Sequence, residues 1–315
     1  MKDIRKRIAA IDIGTNSFHL IIVEVKVDGS LKLLDREREF LRLGSEFGEG
    51  LSLISKNEMN KAVLVLRKFS EIANHHKAVI RAVATSAVRE AKNKNEFIKK
   101  AFEESGIKVE PIDGKEEAKL IFLGMQNALP IDDNSVLGID IGGGSTELIY
   151  AVNGLPVFVE SVKVGAVRLS KKFFPDFILT DKRIEECSQY VEDQIKANYK
   201  IKFNSKIDFA IGSSGTIDTV CMIDQFQKKG KIKQKLNGYA FNKLEFDEIY
   251  DKVMKLKNPS ERANVPGIEE KRADIIPAGL IILKKILELF KINKMVLSDY
   301  ALREGVVYDL INSKI

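Results

Sequence analysis

One stretch of this chain is written twice. Ile8-Ala9-Ala10-Ile11-Asp12-Ile13-Gly14-Thr15-Asn16-Ser17-Phe18-His19-Leu20-Ile21-Ile22 reads as an apolar strand, a small polar turn and a second apolar strand. The same order returns at Val136-Leu137-Gly138-Ile139-Asp140-Ile141-Gly142-Gly143-Gly144-Ser145-Thr146-Glu147-Leu148-Ile149-Tyr150. The two copies lie about one domain length apart, which calls for two related halves and excludes most single-core folds. At 315 residues the chain is also longer than one ordinary core serves.

Each half continues in the same style. In the first, a hairpin partner reads at Leu31 to Leu43 and helical periodicity runs from Asn57 to Asn74. A buried strand follows at Ala78 to Ala84, then helices around Ser86 to Ser105 and Gly114 to Ala128. In the second, a third strand reads at Pro156 to Val162, with helices near Ala166 to Phe174 and Asp181 to Tyr199. Phe209-Ala210-Ile211 is a short strand running into Gly212-Ser213-Ser214-Gly215-Thr216 and a helix. Long helices at Lys243 to Lys257 and Arg272 to Leu289, a strand at Lys294 to Leu297 and a closing helix from Leu302 complete the pattern. Hairpins first, then alternating helices and strands, predict α/β domains with mixed sheets. Pro130, Asp132, Asp133 and Asn134 stop a helix before the next strand, so the expected domains are 1–130 and 131–300. The closing helix, about 301–315, is expected to pack back on the first.

Composition narrows the setting. Hydrophobic residues make up 44% and charged residues 30%, a globular mix that argues against long disordered tracts. Cys187 and Cys221 stand far apart in no ligand pattern, which excludes a disulfide framework or zinc finger and fits a reducing compartment. No apolar stretch approaches the ~20 residues of a spanning helix. The opening Met1 to Arg7 is charged, and the apolar run after it is broken by Asp12, Gly14 and Asn16. It reads as a first strand without a signal peptide, and the expected location is the cytoplasm. The net charge of +6 favours polyanionic partners. Trp is absent and no aromatic-interleaved basic motif occurs, so a phosphate-rich substrate is expected rather than nucleic acid.

A strand that ends in Asp, a turn of Gly and hydroxyl residues, and a second strand together make a phosphate-holding device. Glycines let backbone N–H groups approach an anion without Cβ obstruction, and Ser or Thr hydroxyls add donors. The Asp supplies a hard carboxylate oxygen for magnesium, directly or through water. A single copy would be weak evidence, since glycine turns are common. Two copies, each with Asp-Ile-Gly and a following Ser, are far more specific. The candidates are Asp12, Gly14, Thr15, Asn16 and Ser17 in the first turn, and Asp140, Gly142, Gly143, Gly144, Ser145 and Thr146 in the second. Gly212, Ser213, Gly215 and Thr216 form a third, less diagnostic turn into a helix, suited to a phosphate or nucleotide.

Asp12 to Ser17 and Asp140 to Thr146 resemble the two phosphate loops of the actin-like superfamily, which also holds sugar and acetate kinases. Four further stretches narrow the resemblance: Ala84-Thr85-Ser86-Ala87-Val88-Arg89-Glu90-Ala91, Gly114-Lys115-Glu116-Glu117-Ala118, Arg272-Ala273-Asp274-Ile275-Ile276-Pro277-Ala278-Gly279 and Ser298-Asp299-Tyr300-Ala301-Leu302-Arg303-Glu304-Gly305. In this order they are similar to the exopolyphosphatase and guanosine pentaphosphate phosphohydrolase family, over essentially the whole chain. The resemblance implies two ribonuclease-H-like (actin-like ATPase) domains with the active site in the cleft between them. It implies hydrolysis of terminal phosphoanhydride bonds, releasing orthophosphate from inorganic polyphosphate or converting guanosine pentaphosphate to tetraphosphate in the stringent response. Glu117 matches the base that activates water, Arg89 a phosphate-binding arginine, and Asp140 and Glu147 acidic residues associated with the metal. Asp12 joins the metal set by its own chemistry. Magnesium is the implied cofactor, with manganese second, and a homodimer is left open. Longer members carry a further C-terminal helical region with His-Asp character, so this chain matches a short, two-domain form; Thr15 stands where many relatives have Ser.

Physical chemistry supports these roles. Phosphoryl transfer rests on positioning and charge neutralisation, a guanidinium fork suits phosphate oxygens, and a carboxylate in a low-dielectric site can orient an attacking water. No Cys, His or Ser sits in a nucleophile motif, so direct attack by water is expected rather than a phosphoenzyme. Blander readings stand beside them. Glu116 and Glu117 at a helix start are also good dipole partners, and Glu116 is expected to be structural. Arg89 alone would be a surface helix residue. His19 is expected to pack, and His75 and His76 to cap a helix end. The run Gln227 to Lys235 reads as a solvated loop, or as a track for an extended polyphosphate chain. A small-molecule kinase on the same scaffold and a nucleotide-dependent actin-like switch are the competing functions.

Overall fold

The computed structural model describes residues 6–43, 53–199, 206–233 and 236–313. The chain divides into two compact units, one formed by Met1–Leu120 with Leu302–Ile315, the other by Ile121–Ala301.

In the first unit β1 (Arg7–Ile13), β2 (Ser17–Val25) and β3 (Leu31–Phe40) form an antiparallel meander, and β4 (Val79–Ala84) and β5 (Val109–Pro111) run parallel to β1. The order is β3-β2-β1-β4-β5. Period-two alternation sends Ala9, Ile11 and Ile13 to one face, where they join Met59, Leu66 and Phe69 of α1 (Lys56–His75) and Phe97 of α3 (Lys94–Ser105). A reciprocal Ser55–Glu58 capping box starts α1. Ile8, Ala10 and Asp12 have the opposite parity. The closing helix α11 (Leu302–Asn312) packs on β1 and β2, and Arg81 of β4 holds Asp309 of that helix at 2.5 Å.

The second unit repeats the plan. Here β6 (Ser135–Ile141), β7 (Thr146–Val152) and β8 (Leu155–Val162) make the meander, and β9 (Phe209–Ser213) and β11 (Lys294–Leu297) run parallel to β6. β10 (Ala240–Asn242) adds an antiparallel edge, giving β10-β11-β9-β6-β7-β8. Leu137, Ile139 and Ile141 face the main core with α6 (Asp181–Asn198) and α10 (Ile276–Leu289). Both units therefore carry the 3-2-1-4-5 strand order of a ribonuclease-H-like domain, and the α/β class with two mixed sheets is the one found.

Some elements differ from the sequence expectation. The helix expected from Arg272 starts at Ile276, after a 3₁₀ turn at Glu270–Arg272, because Pro277 lacks an N–H and is tolerated only in a first turn. α8 (Lys243–Met254) stops short of Lys257, and α9 (Pro259–Ala263) follows it. The three-residue strands β5 and β10 are too short to show a period. The two compact units meet along the chain at Leu120/Ile121, inside α4 (Gly114–Ala128).

No helix among the described residues is long and apolar enough to cross a membrane. Cys187 and Cys221 are buried and unbridged, and burial pushes the Cys187 thiol up to about 12. Arg262, fully buried, donates to the carbonyls of Ala273, Leu256 and Phe177 at 2.6, 3.0 and 2.9 Å, so it staples three loops. In the basic run, Lys228 of α7 (Gly215–Lys229) bridges Asp224 at 2.8 Å and Glu245 at 2.6 Å, while Lys229, Lys231 and Lys233 are exposed. Gln234 and Lys235 lie outside the described residues.

Candidate active site

The first turn is closed by Gly14 N–H donating to Ser17 O at 3.2 Å. A Cβ on Gly14 would lie 2.9 Å from that carbonyl, so no side chain fits. Thr15 Oγ1 pairs with Ser86 Oγ at 2.8 Å, tying the turn to α2 (Ser86–Arg89). Ser17 Oγ pairs with His19 Nε2 at 2.8 Å, which places His19 beside the turn as well as in the sheet. Asn16 is 7% exposed, and neither oxygen nor nitrogen of its carboxamide has a protein partner. Such a buried orphan costs about 1–3 kcal/mol and marks a place where a ligand or water is expected.

Glu117 and Arg89 come together in the same unit. Asp113 accepts from the N–H groups of Lys115 and Glu116 at 2.8 Å each, which caps α4 and fixes its first turn. That turn buries Glu117 and leaves Glu116 exposed. Arg89, at the end of α2, donates through Nη1 to Glu117 Oε2 at 2.7 Å and to Ile112 O at 3.0 Å. Burial holds the Glu117 carboxyl above its usual range, and the Arg89 guanidinium works against that rise. Asp12 is likewise raised, to about 7, by burial; Arg303 opposes the rise, and Glu117 and Glu304 add to it. Arg303 and Glu304, 4.0 Å apart, arrive on the first turn of α11, and sequence reasoning assigned them no role although their motif was noted.

The second turn reproduces the first: Gly142 N–H donates to Ser145 O at 2.9 Å. The matching positions pair Asp12 with Asp140, Ser17 with Ser145 and His19 with Glu147. Helix α5 (Ala166–Phe173) backs this turn, its Ala166 and Val167 N–H groups donating to Gly142 O and Gly143 O at 2.9 Å each. Arg168 adds Nε to Gly144 O at 2.7 Å. Three successive carbonyls of the turn are thus held from behind. Sequence reasoning missed Arg168, whose only signal is its place in the first turn of a helix following the meander. Glu147 is 1% exposed and accepts from Ser161 Oγ at 2.7 Å. The Thr146 hydroxyl donates its proton to Val164 O at 2.6 Å, so it has none to give a phosphate oxygen.

In the third turn, Ser214 at φ +123° caps α7 through Ile217 N–H. Gly212 packs under Met295, and Thr216 against Gly279. The guanidinium of Arg272 fills the space a Gly215 side chain would take, its nearest atom 1.9 Å from the Cβ position. Ser213 is 3% exposed with an unpartnered hydroxyl.

Among the described residues no three His, Cys, Asp or Glu side chains gather closely enough to hold a metal by themselves. Magnesium binds through one or two carboxylates, several waters and substrate phosphate. Asp140 and Glu147, opposite each other in the sheet register, offer hard oxygens of that kind, and the orphaned Ser213 hydroxyl is a further polar atom in the same unit.

Comparison with known proteins finds relatives over nearly the whole chain. The model of the Ppx/GppA phosphatase family matches residues 21–314. A candidate exopolyphosphatase of Haemophilus influenzae is 31% identical, with 97% of this chain and 91% of that protein covered. The crystal structure of an exopolyphosphatase from Cytophaga hutchinsonii superposes with a TM-score of 0.90 at 31% identity, over 98% of each chain. An Aquifex aeolicus member of the Ppx/GppA family gives a TM-score of 0.82 at 28% identity, over 98% of this chain and 99% of that one.

Proposed function

Because this chain belongs to the Ppx/GppA phosphatase family, we propose that it hydrolyses terminal phosphoanhydride bonds, releasing orthophosphate from inorganic polyphosphate. The observation that carries the mechanism is the buried Glu117, bonded by Arg89 at the start of α4.

Glu117 is the base. It orients a water and takes its proton as the water oxygen bonds to the terminal phosphorus. The bridging P–O bond breaks, and the shortened chain leaves as a phosphate anion. Burial keeps the Glu117 carboxyl basic enough to accept the proton. Arg89 holds the Glu117 carboxylate and offers its guanidinium to the terminal phosphate oxygens. The N–H groups and hydroxyls of the two Asp-Ile-Gly turns bind phosphate, and the Asn16 carboxamide gains the partner it lacks. Magnesium, with manganese as substitute, would be held in the second unit by Asp140 and Glu147, and it would supply charge neutralisation for the phosphate oxygens.

Guanosine pentaphosphate ends in the same kind of bond, so the same groups serve it, and its conversion to tetraphosphate is the second substrate reading. The test is magnesium-dependent phosphate release from long polyphosphate and guanosine pentaphosphate, side by side, for wild type and Glu117→Gln. Turnover that the variant loses supports the mechanism, and the ratio of rates names the substrate. No turnover of either substrate, or a fully active variant, overturns it. ADP formed only with a sugar or carboxylate acceptor would point instead to a kinase.

A further inference from the structure

In the second unit the sheet register draws four residues into one line. Ser161 of β8 lies opposite Glu147 of β7, Glu147 opposite Asp140 of β6, and Asp140 opposite Ser213 of β9. Residues directly opposite in a sheet share a face, so all four side chains leave the same side at the same level. That side is the reverse of the main core, which receives Ile139, Leu148 and Ala210. Nearby on this reverse side, Phe122 and Met125 of α4 cover Gly138.

The line is polar from end to end, and its members differ in how they are satisfied. Ser161 donates to Glu147 at 2.7 Å. Ser213, at the other end, is 3% exposed and its hydroxyl meets no protein partner. Alanine would avoid the cost of about 1–3 kcal/mol that a buried unpaired hydroxyl carries. A hydroxyl kept there, in line with two carboxylates, points to a ligand with hydrogen to give or oxygen to share.

We propose that Ser213 is a positioning residue for the hydrated divalent cation of the Asp140–Glu147 pair, its hydroxyl accepting from or donating to a cation-bound water. Magnesium dehydrates reluctantly and keeps several waters, so its orientation depends on groups that hold those waters. Ser161 plays the complementary part by fixing the Glu147 carboxylate. This role rests on the assignment of the cation to Asp140 and Glu147 made above.

The test is Mn2+ binding to the full chain followed by EPR, with Mg2+ as competitor, for wild type, Glu147→Gln and Ser213→Ala. Melting curves are recorded with and without cation. Ser213→Ala should bind Mn2+ roughly tenfold more weakly. Without cation it should melt at or above the wild-type temperature, because no protein hydrogen bond is lost, and the cation-induced rise in melting temperature should shrink. If Glu147→Gln abolishes binding while Ser213→Ala binds as wild type does, the cation assignment stands and the role of Ser213 falls. A cation-free Ser213→Ala that melts several degrees lower also overturns the role, since the hydroxyl would then be serving the fold. If wild type binds no Mn2+, or Glu147→Gln binds it unchanged, the assignment fails and the proposal with it.

Discussion

Glu117 stands under two opposed influences: burial raises its carboxyl pKa and Arg89 lowers it, with burial prevailing. A carboxyl raised on folding binds its proton more tightly in the fold than in the open chain. The fold is therefore favoured at low pH and loses that advantage as pH rises through the folded pKa. At neutral pH the Glu117 charge costs stability, so Glu117→Gln should melt no lower than wild type while hydrolysis falls by about 10²–10⁴-fold. Calorimetry and phosphate release read the two effects separately, and a variant melting several degrees lower would mean that the Arg89 pair outweighs burial. Arg89→Ala removes the opposing influence. Its residual pH–rate profile should show the acidic limb displaced to higher pH, and an unmoved limb would detach that limb from Glu117.

Elements carry these residues into place, and some do so by backbone contact. A Cβ on Gly305 of α11 would sit 1.8 Å from Leu120 O of α4, so that helix pair tolerates no side chain at the crossing. Gly305→Ala should cost about 1–3 kcal/mol in urea unfolding. It should also depress activity, because α11 brings Arg303 and Glu304 toward Asp12. Full activity in a destabilised variant would confine the crossing to folding. Several elements were legible in the sequence: α4, β11 and the start of α11 fall at the expected residues. β5 and β10, at three residues each, offer no period, and the helix start at Ile276 was obscured by apolar residues on either side of Pro277.

At the scale of the molecule, duplication is the governing fact. Two sheets share one strand order, and two turns close with the same Gly-to-Ser hydrogen bond, yet each unit is equipped differently. The Glu117–Arg89 pair belongs to the first unit, and the line of Ser161, Glu147, Asp140 and Ser213 to the second. A chain carrying a net charge of +6 attracts polyanions over a range that salt shortens. The KM for long polyphosphate should therefore rise with ionic strength more steeply than the KM for tripolyphosphate. Equal slopes in a salt series would show that only the terminal phosphates are held.

Glu117 and Arg89 stand out in the sequence only through the family resemblance of their motifs, whereas the repeat, the α/β class and both Asp-Ile-Gly turns are determined by the sequence itself. Local chemistry suffices for them: strand period, turn residues and carboxylates at strand ends are written in neighbouring positions. Tertiary structure decided what depends on distant segments meeting. It set Arg89 on Glu117 across an intervening helix and strand, placed the start of α5 behind the second turn, and committed the Thr146 hydroxyl to Val164. It also left the Asn16 carboxamide and the Ser213 hydroxyl buried without partners. Whether a polar group is satisfied depends on everything packed around it, and a sequence lists residues without listing their neighbours in space.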